Sequence, residues 1–286
     1  MTNTARAIAV ANQKGGVAKT TTAINLAAFL AIAGQRVLVI DLDPQANLTS
    51  GLGLKGQAAE GGTVYDALLG ASASPTSFLL PTTIDGLFLI PADRQLTGAE
   101  IELVPLDARE HRLRRLVDGL RHAFDFILID SPPSLGLLTL NALVAADAVL
   151  IPLNSEYFAL EGIADLMATI DGVRAALNPG LEIDGVLLTM NDERTNLGQQ
   201  VGANVREFFG DKVFHTVIPR NVRLGEAPSH GLPVALYDPR SRGAEAYSAL
   251  AAEFLGRASM PSPPPSPAAA PDDTPAPLEE ERGEHG

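Results

Sequence analysis

Residues 6–21 read RAIAVANQKGGVAKTT. The stretch opens with a short apolar run that predicts a buried β-strand, and an apolar helical pattern follows the loop. Gly15, Gly16 and Lys19 lie in that loop. Glycines let backbone N–H groups approach oxygen atoms closely, the N-terminus of a helix offers unpaired N–H donors, and a lysine adds a mobile cation. The stretch therefore predicts a phosphate-binding site, in which the Thr20 hydroxyl would contact Mg²⁺.

The rest of the chain alternates short apolar runs with longer helical stretches. This order predicts βαβ units, and hence a single α/β domain with a mostly parallel, doubly wound sheet flanked by helices. Uninterrupted apolar runs suit strands covered on both faces, and right-handed crossovers bring their carboxyl ends to one ligand-binding edge. Gly34 is expected to end the first helix in a left-handed conformation. The predicted strands are 36–41, 86–92, 125–130, 147–153 and 183–190, and the predicted helices are 20–33, 109–124 and 160–177.

The composition limits the functions that the chain can have. Its 286 residues contain no cysteine, which excludes disulfides, zinc–thiolate sites and cysteine-ligated iron–sulfur clusters. No uncharged apolar run approaches the roughly 20 residues that span a bilayer, and the apolar run after Arg6 is too brief for a secretory signal. We therefore expect a cytoplasmic protein. Because the formal net charge is −13, any contact with nucleic acid must come from a local basic patch.

The composition also divides the chain into two regions. Residues 259–286 are mainly proline, alanine and acidic residues with few large apolar side chains, so we expect a disordered tail. Residues 1–258 contain no stretch that looks like a linker. We interpret them as one domain.

The phosphate-binding loop departs from the common pattern G-x-x-x-x-G-K-[ST], because Gln13 and Ala18 occupy its two glycine positions. It resembles the deviant loop KGGVGKTT of the ParA/MinD group of P-loop ATPases. The resemblance implies ATP and Mg²⁺ as cofactors. It also implies that an extra lysine, here Lys14, reaches across a nucleotide-sandwich homodimer to the partner's phosphates, where it can neutralise charge on the transferred phosphoryl group. Since the family has glycine in place of Ala18, the Cβ of Ala18 predicts a lower nucleotide affinity or hydrolysis rate than is usual.

A simpler interpretation of this loop is a glycine-rich turn before an amphipathic helix, with Lys14 as a solvated side chain. The resemblance favours the nucleotide site, and it implies catalytic roles for Lys14 and Lys19. The nucleotide-binding residues that it implies in this loop are Lys14, Gly15, Gly16, Val17, Ala18, Lys19, Thr20 and Thr21.

Two of the predicted strands end in carboxylates. The run RVLVID leads into Asp41, Leu42 and Asp43, which resembles the second motif of the family and implies that Asp43 positions or activates the attacking water. Asp41 is expected to support the loop and the metal shell. The run DFILID ends in Asp130, as in a Walker B motif, where the carboxylate holds Mg²⁺ directly or through water. Aspartate also commonly ends strands and caps turns, so Asp130 indicates a metal site chiefly because the phosphate loop is present.

The C-terminal half resembles chromosomal ParA/Soj proteins in several segments. The resemblance implies that the IPRN segment lies over the adenine and that Pro219 and Asn221 contact the base, since an asparagine amide can hydrogen-bond to its edge. A turn built by proline and asparagine would explain the same two residues. The segments are NSEYFALEG (154–162), LTM (188–190), RTNL (194–197), IPRNVRLGEAPSHGLPV (218–234) and YDPRSRGA (237–244).

A local basic region is a candidate for DNA binding. Between Arg194 and Arg223 the chain has five basic and two acidic residues, and five minus two leaves a local charge of +3 on an acidic chain. Arg194 and Arg223 match arginines that, in this family, contact DNA in the ATP-bound dimer without reading its sequence. Contacts between guanidinium groups and phosphates give salt-sensitive, non-specific affinity. The alternative is a solvated surface of ion pairs.

The resemblance predicts an ATPase that is weakly active alone and binds the nucleoid as an ATP-bound dimer. A ParB-like partner would stimulate hydrolysis and release the dimer, which would drive chromosome or plasmid segregation. A nucleotide-dependent scaffold with negligible turnover, or a positioning protein with another cargo, would share the fold. A MinD-like membrane ATPase needs a basic amphipathic C-terminal helix, which the acidic tail does not supply. A nitrogenase-reductase-like electron carrier needs cysteine ligands, which the chain lacks.

Overall fold

The computed structural model describes residues 4–70, 73–154, 161–191 and 195–258. The described residues form one sheet of seven strands in the order β3-β4-β2-β5-β1-β6-β7. All neighbouring strands pair in parallel except β3 and β4, which are antiparallel. The mostly parallel sheet predicted from the sequence is thereby confirmed. The strands are β1 (Arg6–Val10), β2 (Val37–Asp41), β3 (Leu80–Pro81), β4 (Leu87–Ile90), β5 (Phe126–Asp130), β6 (Ala148–Asn154) and β7 (Glu182–Thr189).

Helices connect these strands. The helix predicted over residues 109–124 is shorter, with a 3₁₀ turn on each side. Where its C-terminal end gives way to a 3₁₀ turn, Arg121 donates to the Ala5 carbonyl (2.8 Å) and to the Asp147 carboxylate (2.7 Å). No helix in the described ranges is long and apolar enough to cross a membrane. The helices are α1 (Lys19–Ile32), α2 (Asn47–Gly51), α3 (Val64–Leu69), α4 (Leu96–Glu102), α5 (Arg112–Leu120), α6 (Leu137–Ala145), α7 (Glu161–Ala176), α8 (Asn196–Phe209), α9 (Val222–Glu226), α10 (Val234–Tyr237) and α11 (Arg242–Ala258).

The sheet separates two apolar cores. Ala7 and Ala9 of β1 face a core that includes side chains from α5, α6 and α7, whereas Ile8 and Val10 face a second core with α1 and α11. All four residues are fully buried. Successive side chains of a strand point to opposite faces, so an uninterrupted apolar strand is what a sheet covered on both faces requires. The loop after β1 therefore begins at a strand that is packed on both faces.

The strand order also fixes where a ligand can bind. β1 lies between β5 and β6, and the chain crosses from one side of β1 to the other when it passes from β5 to β6. Loops at such a switch point leave the sheet in opposite directions and open a crevice at the carboxyl ends of the strands.

Gly34 has φ = +87°, as predicted for the residue that ends the first helix in a left-handed conformation.

The segment after α8 returns along β7. The Phe214 amide donates to the Val186 carbonyl and the Ile218 amide to the Leu188 carbonyl, each at 2.9 Å. Glu253 of α11 holds this segment, since its carboxylate accepts from the His215 and Thr216 amides, each at 2.9 Å. Burial alone would raise the pKa of Glu253, but the hydrogen bonds from His215 and Thr216 lower it to about 2.

We expect Glu253→Gln to lower the free energy of unfolding at pH 7 by about 1 kcal/mol. The glutamine side chain has one acceptor oxygen where the carboxylate has two, so one of the two backbone amides would lose its acceptor. The pKa of Glu253 in the folded chain lies below its ordinary value of 4.5. The stabilisation that its charge gives the fold is therefore complete above pH 4.5 and is lost as the pH falls toward 2. Urea unfolding at pH 7 and at pH 3.5 should therefore separate wild type from variant less at the lower pH. Glu245→Gln, an exposed change in the same helix, is the control, and equal separation at both pH values would contradict the assignment.

Candidate functional site

The predicted phosphate loop connects β1 to α1 at the centre of the sheet. Its first turn is held by Asn12, whose side-chain carbonyl accepts from the Lys14 amide (2.9 Å) and whose amide group donates to the Pro152 carbonyl (2.8 Å). Asn12 is 3% exposed. The sequence interpretation missed this residue, although an asparagine directly after a buried strand is a common signal for such a turn. The bond to Pro152 ties the loop to the neighbouring strand β6.

Lys19 is buried in the loop, close to two carboxylates. Its Nζ donates to the Lys14 carbonyl at 3.2 Å. Burial lowers the pKa of Lys19, while the charges of Asp130 and Asp43 act to raise it. Three of the residues assigned to the site from sequence, which are Lys19, Asp43 and Asp130, therefore lie near one another at the same edge of the sheet.

Asp41 and Asp130 end neighbouring strands and lie directly opposite each other. Both are completely buried. Burial, followed by the charge of Asp41, raises the pKa of Asp130 well above its ordinary value, although Thr20 lies near enough to lower it in part. Within the described ranges, neither carboxylate oxygen of Asp130 has a hydrogen bond of good geometry. Buried carboxylates are nearly always paired or bound to a metal, so Asp130 has the environment of a metal ligand.

These residues fit Mg²⁺. The described part of the chain holds no group of three or more His, Cys, Asp or Glu side chains that could bind a metal by itself. Mg²⁺ in phosphate-transfer sites is typically held by one or two carboxylates, with substrate phosphates and waters as the other ligands. Asp130 and the Thr20 hydroxyl are the residues that would hold it.

Asp43 lies on a loop that Asp41 organises. The Asp41 carboxylate accepts from the Thr49 hydroxyl (2.7 Å), the Thr49 amide (2.8 Å) and the Asp43 amide (3.2 Å). Asp43 in turn accepts from the Gln45 amide (2.9 Å). Burial raises the pKa of Asp41 to about 6, and the bonds from Thr49 limit that rise. The supporting role predicted for Asp41 fits this geometry, whereas its partner Thr49 was missed from sequence.

Ala18 adopts a left-handed conformation, with φ = 64° and ψ = 33°. Gly16 also has a positive φ, of 72°. A residue with a Cβ is disfavoured in this region by about 1–2 kcal/mol, whereas glycine enters it freely. The structure thus supplies a backbone reason for the glycine that Ala18 replaces.

Pro219 and Asn221 lie at the edge of the sheet where β7 ends. Asn191, just past that end, forms a bridge with Pro219, and its amide donates to the Ile218 carbonyl at 3.1 Å. The Asn221 side-chain carbonyl accepts from the Arg223 amide at 2.8 Å and so caps α9. This cap agrees with the simpler interpretation of the segment as a turn, and the contact with adenine stays a prediction.

Of the two candidate DNA-binding arginines, the structure places only Arg223, because Arg194 lies outside the described residues. Arg223 is exposed on α9, and its guanidinium pairs with Glu226 (2.8 Å) and Asp238 (3.3 Å). Ion pairing is what the alternative interpretation of this surface predicts. Phosphate contact by Arg223 remains a prediction.

Two other basic residues of the local +3 region, Lys212 and Arg220, lie apart along β7. Arg220 follows Pro219 at the edge of the sheet where β7 ends. Lys212 lies beside Gly185, in the first half of β7. They are separated because the 14 residues of α8 run back along the sheet before the chain returns. Summing charge along the sequence could not reveal this division.

Comparison with known proteins identifies the family. Residues 5–183 match a family model described as an AAA domain. The chain is 57% identical over 246 residues to the sporulation initiation inhibitor protein Soj of Bacillus subtilis, which covers 86% of this chain and 96% of that protein. The chain belongs to the ParA/Soj family. Another ParA/Soj relative, the chromosome partitioning protein ParA of Myxococcus xanthus, is 54% identical over 259 residues, with 90% of each chain covered.

A solved structure supports the same fold. The crystal structure of cobyrinic acid a,c-diamide synthase from Mycobacterium smegmatis with bound ADP and magnesium superposes with a TM-score of 0.75 at 39% identity. The match covers 88% of this chain and 94% of that one. The two relatives confirm the ParA/Soj resemblance inferred from the sequence motifs over most of the chain.

We expect Ala18→Gly to raise the free energy of unfolding by up to about 1 kcal/mol, because release of the left-handed strain exceeds the added flexibility of the unfolded chain. Chemical denaturation of the nucleotide-free protein measures this change. Ala108→Gly is the matched control, since Ala108 also has a positive φ, of 48°, but lies outside the phosphate loop. A loss of stability in Ala18→Gly would show that the Cβ of Ala18 makes a favourable contact.

Proposed function

We propose that this chain is an ATP-dependent DNA-partitioning ATPase. The observation that carries the proposal is the convergence of the phosphate loop, with Lys14 and Lys19, on Asp43 and Asp130 at one edge of the sheet. Identity of 54% with the chromosome partitioning protein ParA of Myxococcus xanthus and of 53% with the chromosome-partitioning ATPase Soj of Treponema pallidum favours this activity over that of the 39% identical synthase. Residues 1–258 would form the ATPase domain, and residues 259–286 would be a tail outside it.

The loop would bind the phosphates of ATP through the backbone amides of residues 15–21 and the Lys19 ammonium group. The burial of Lys19 strengthens its attraction to a phosphate, since fewer water molecules screen it. Thr20 and Asp130 would hold Mg²⁺, which, when bound, offsets the negative charge of the phosphates. Pro219 and Asn221 would lie against the adenine, and their position beside Asn191 keeps that segment at the same edge as the loop.

Hydrolysis would depend on Asp43. Asp43 is 8% exposed, and Asp41 holds the start of its loop, so it could orient a water molecule with little rearrangement. Lys14 would reach the phosphates bound to the second subunit of a sandwich dimer and offset the charge of the transferred phosphoryl group. A site that is completed by a second copy would have weak activity in the monomer. A ParB-like partner would then stimulate hydrolysis in the dimer.

The ATP-bound dimer would bind non-specific DNA of the nucleoid. Arg194 and Arg223 would contact phosphates, so each dimer would present two copies of the same weak contact. The pairs that Arg223 makes with Glu226 and Asp238 are exposed, and exchanging such pairs for DNA phosphates involves little free energy. Hydrolysis would reopen the dimer and release it, which would move a chromosome or plasmid by repeated binding and release.

A nucleotide-dependent scaffold with negligible turnover is a second candidate. The left-handed Ala18 favours it, because a strained phosphate loop could bind nucleotide in a geometry unsuited to hydrolysis. Such a scaffold would bind ATP and a cargo but release almost no phosphate.

The two candidates are separated by one experiment. The purified chain is mixed with non-specific duplex DNA and ATP, ADP or no nucleotide, and DNA binding and phosphate release are followed in the same samples. The partitioning function requires ATP-selective DNA binding with slow hydrolysis. ATP-selective binding without phosphate release would support the scaffold, and ATP binding without DNA affinity would reject the DNA-partitioning proposal.

Asp43→Ala should retain ATP binding and ATP-dependent DNA binding while phosphate release falls by about a hundredfold or more, since only the water-orienting group is removed. The complex with DNA should therefore persist after excess ATP is withdrawn. Lys19→Ala is the contrasting control, because loss of nucleotide binding should abolish both activities together. Unchanged phosphate release in Asp43→Ala would assign the water to another residue.

Arg223→Glu should lower DNA affinity in ATP by at least about tenfold without changing ATP affinity. The slope of log affinity against log salt should fall by about two, because a dimer loses two phosphate contacts. Arg115→Glu is the matched control, since Arg115 is exposed on α5 on the other face of the sheet. Equal DNA affinity of Arg223→Glu and wild type at several salt concentrations would remove Arg223 from the interface.

A further inference from the structure

A buried threonine at the end of β7 contacts the back of the phosphate loop. Thr189 has no exposed surface, and its hydroxyl donates to the Val17 carbonyl at 3.1 Å. Val17 is also fully buried. Since β6 lies between β1 and β7, this bond reaches from the outer strand, past β6, to the loop that follows β1. Thr189 was not assigned a role from its sequence context.

Unfavourable backbone conformations follow both ends of this bond. Ala18, directly after Val17, has φ = 64°, and Met190, directly after Thr189, has φ = 49°. Residues with a Cβ seldom adopt such angles, and those that do tend to lie at functional sites, where the surrounding structure enforces them. The bond between Thr189 and Val17 is a contact that can enforce the angle at Ala18.

The planarity of the peptide bond explains how. The Val17 carbonyl and the Ala18 amide belong to one planar trans peptide, so they point in opposite directions. A donor that holds the Val17 carbonyl in place therefore also fixes the direction of the Ala18 N–H. With the peptide plane held, rotation about the N–Cα bond of Ala18, which defines φ, is restricted as well. Without that donor, the peptide plane could rotate and Ala18 could relax to a negative φ, which would turn the N–H away from its present direction.

We propose that Thr189 is a positioning residue for nucleotide binding, and that this chain depends on it because alanine occupies position 18. The inference rests on the proposed nucleotide site. A glycine at position 18 would adopt the left-handed conformation without the steric penalty of a Cβ, so less enforcement would be needed there. The importance of the Thr189 hydroxyl should therefore depend on the residue at position 18.

The same turn links the phosphate loop to the segment proposed to lie over the adenine. Met190 redirects the chain so that the Asn191 amide reaches the Ile218 carbonyl (3.1 Å), next to Pro219. The end of β7, through Thr189 and Asn191, thus contacts both segments of the proposed nucleotide site.

The test is a double-mutant cycle on ATP affinity, measured with a fluorescent ATP analogue and Mg²⁺. Thr189→Val should weaken binding by about tenfold, the ratio that corresponds to one lost buried hydrogen bond, and Thr189→Ser, which keeps the hydroxyl, should bind like wild type. In an Ala18→Gly background, Thr189→Val should weaken binding by no more than about threefold. Thr169→Val, which removes a hydroxyl that bonds to a carbonyl within α7, is the control and should leave affinity unchanged.

Urea unfolding of each variant separates positioning from a general loss of stability. A role confined to stability would make the loss of affinity the same in both backgrounds, and that result would overturn the proposal. Wild-type affinity in Thr189→Val would also overturn it. Absence of ATP binding in the wild-type chain would instead reject the nucleotide site on which the proposal depends.

Discussion

Two fully buried carboxylates, Asp41 and Asp130, lie side by side on neighbouring strands, and the arrangement of the site follows from this close placement of two acidic groups. Burial and mutual repulsion both disfavour the ionised forms. Lys19 attracts Asp130, but the burial of Lys19 disfavours its own charge as well. A divalent cation at this edge would relieve the repulsion. Because Mg²⁺ and nucleotide would bind the folded chain and not the unfolded one, their binding would also stabilise the fold.

The two aspartates differ in their hydrogen bonds, and this difference separates their roles. Asp41 accepts bonds from Thr49 and from the Asp43 amide, so its oxygens are engaged by the chain. The described residues offer Asp130 no comparable partners, and its oxygens remain available to a metal. An aspartate at the same level of the sheet thus holds a loop in one strand, and in the next strand it has the environment expected of a metal ligand.

Strand positions were predicted well because a strand buried on both faces leaves an uninterrupted apolar run in the sequence. Features that depend on distant partners were not. The helix predicted over residues 109–124 is interrupted where Arg121 contacts Ala5 and Asp147. Thr49 has a structural role only because its hydroxyl donates to Asp41 and accepts a hydrogen bond from the Ala92 amide at 3.0 Å. Short elements such as α2 and β3 have too few residues to show the periodic pattern of apolar side chains that identifies a helix or a strand.

The sequence by itself determined the phosphate loop, the carboxylates at two strand ends and the family, because each depends on residues that are adjacent in the chain. Only the tertiary structure decided which groups meet. It placed Asp41 opposite Asp130, connected Thr189 to Val17, and placed Lys212 beside the first half of β7 but Arg220 near the end of that strand. Hydrogen bonds and charges act over a few ångströms in space, and the separation of residues along a chain does not set that distance.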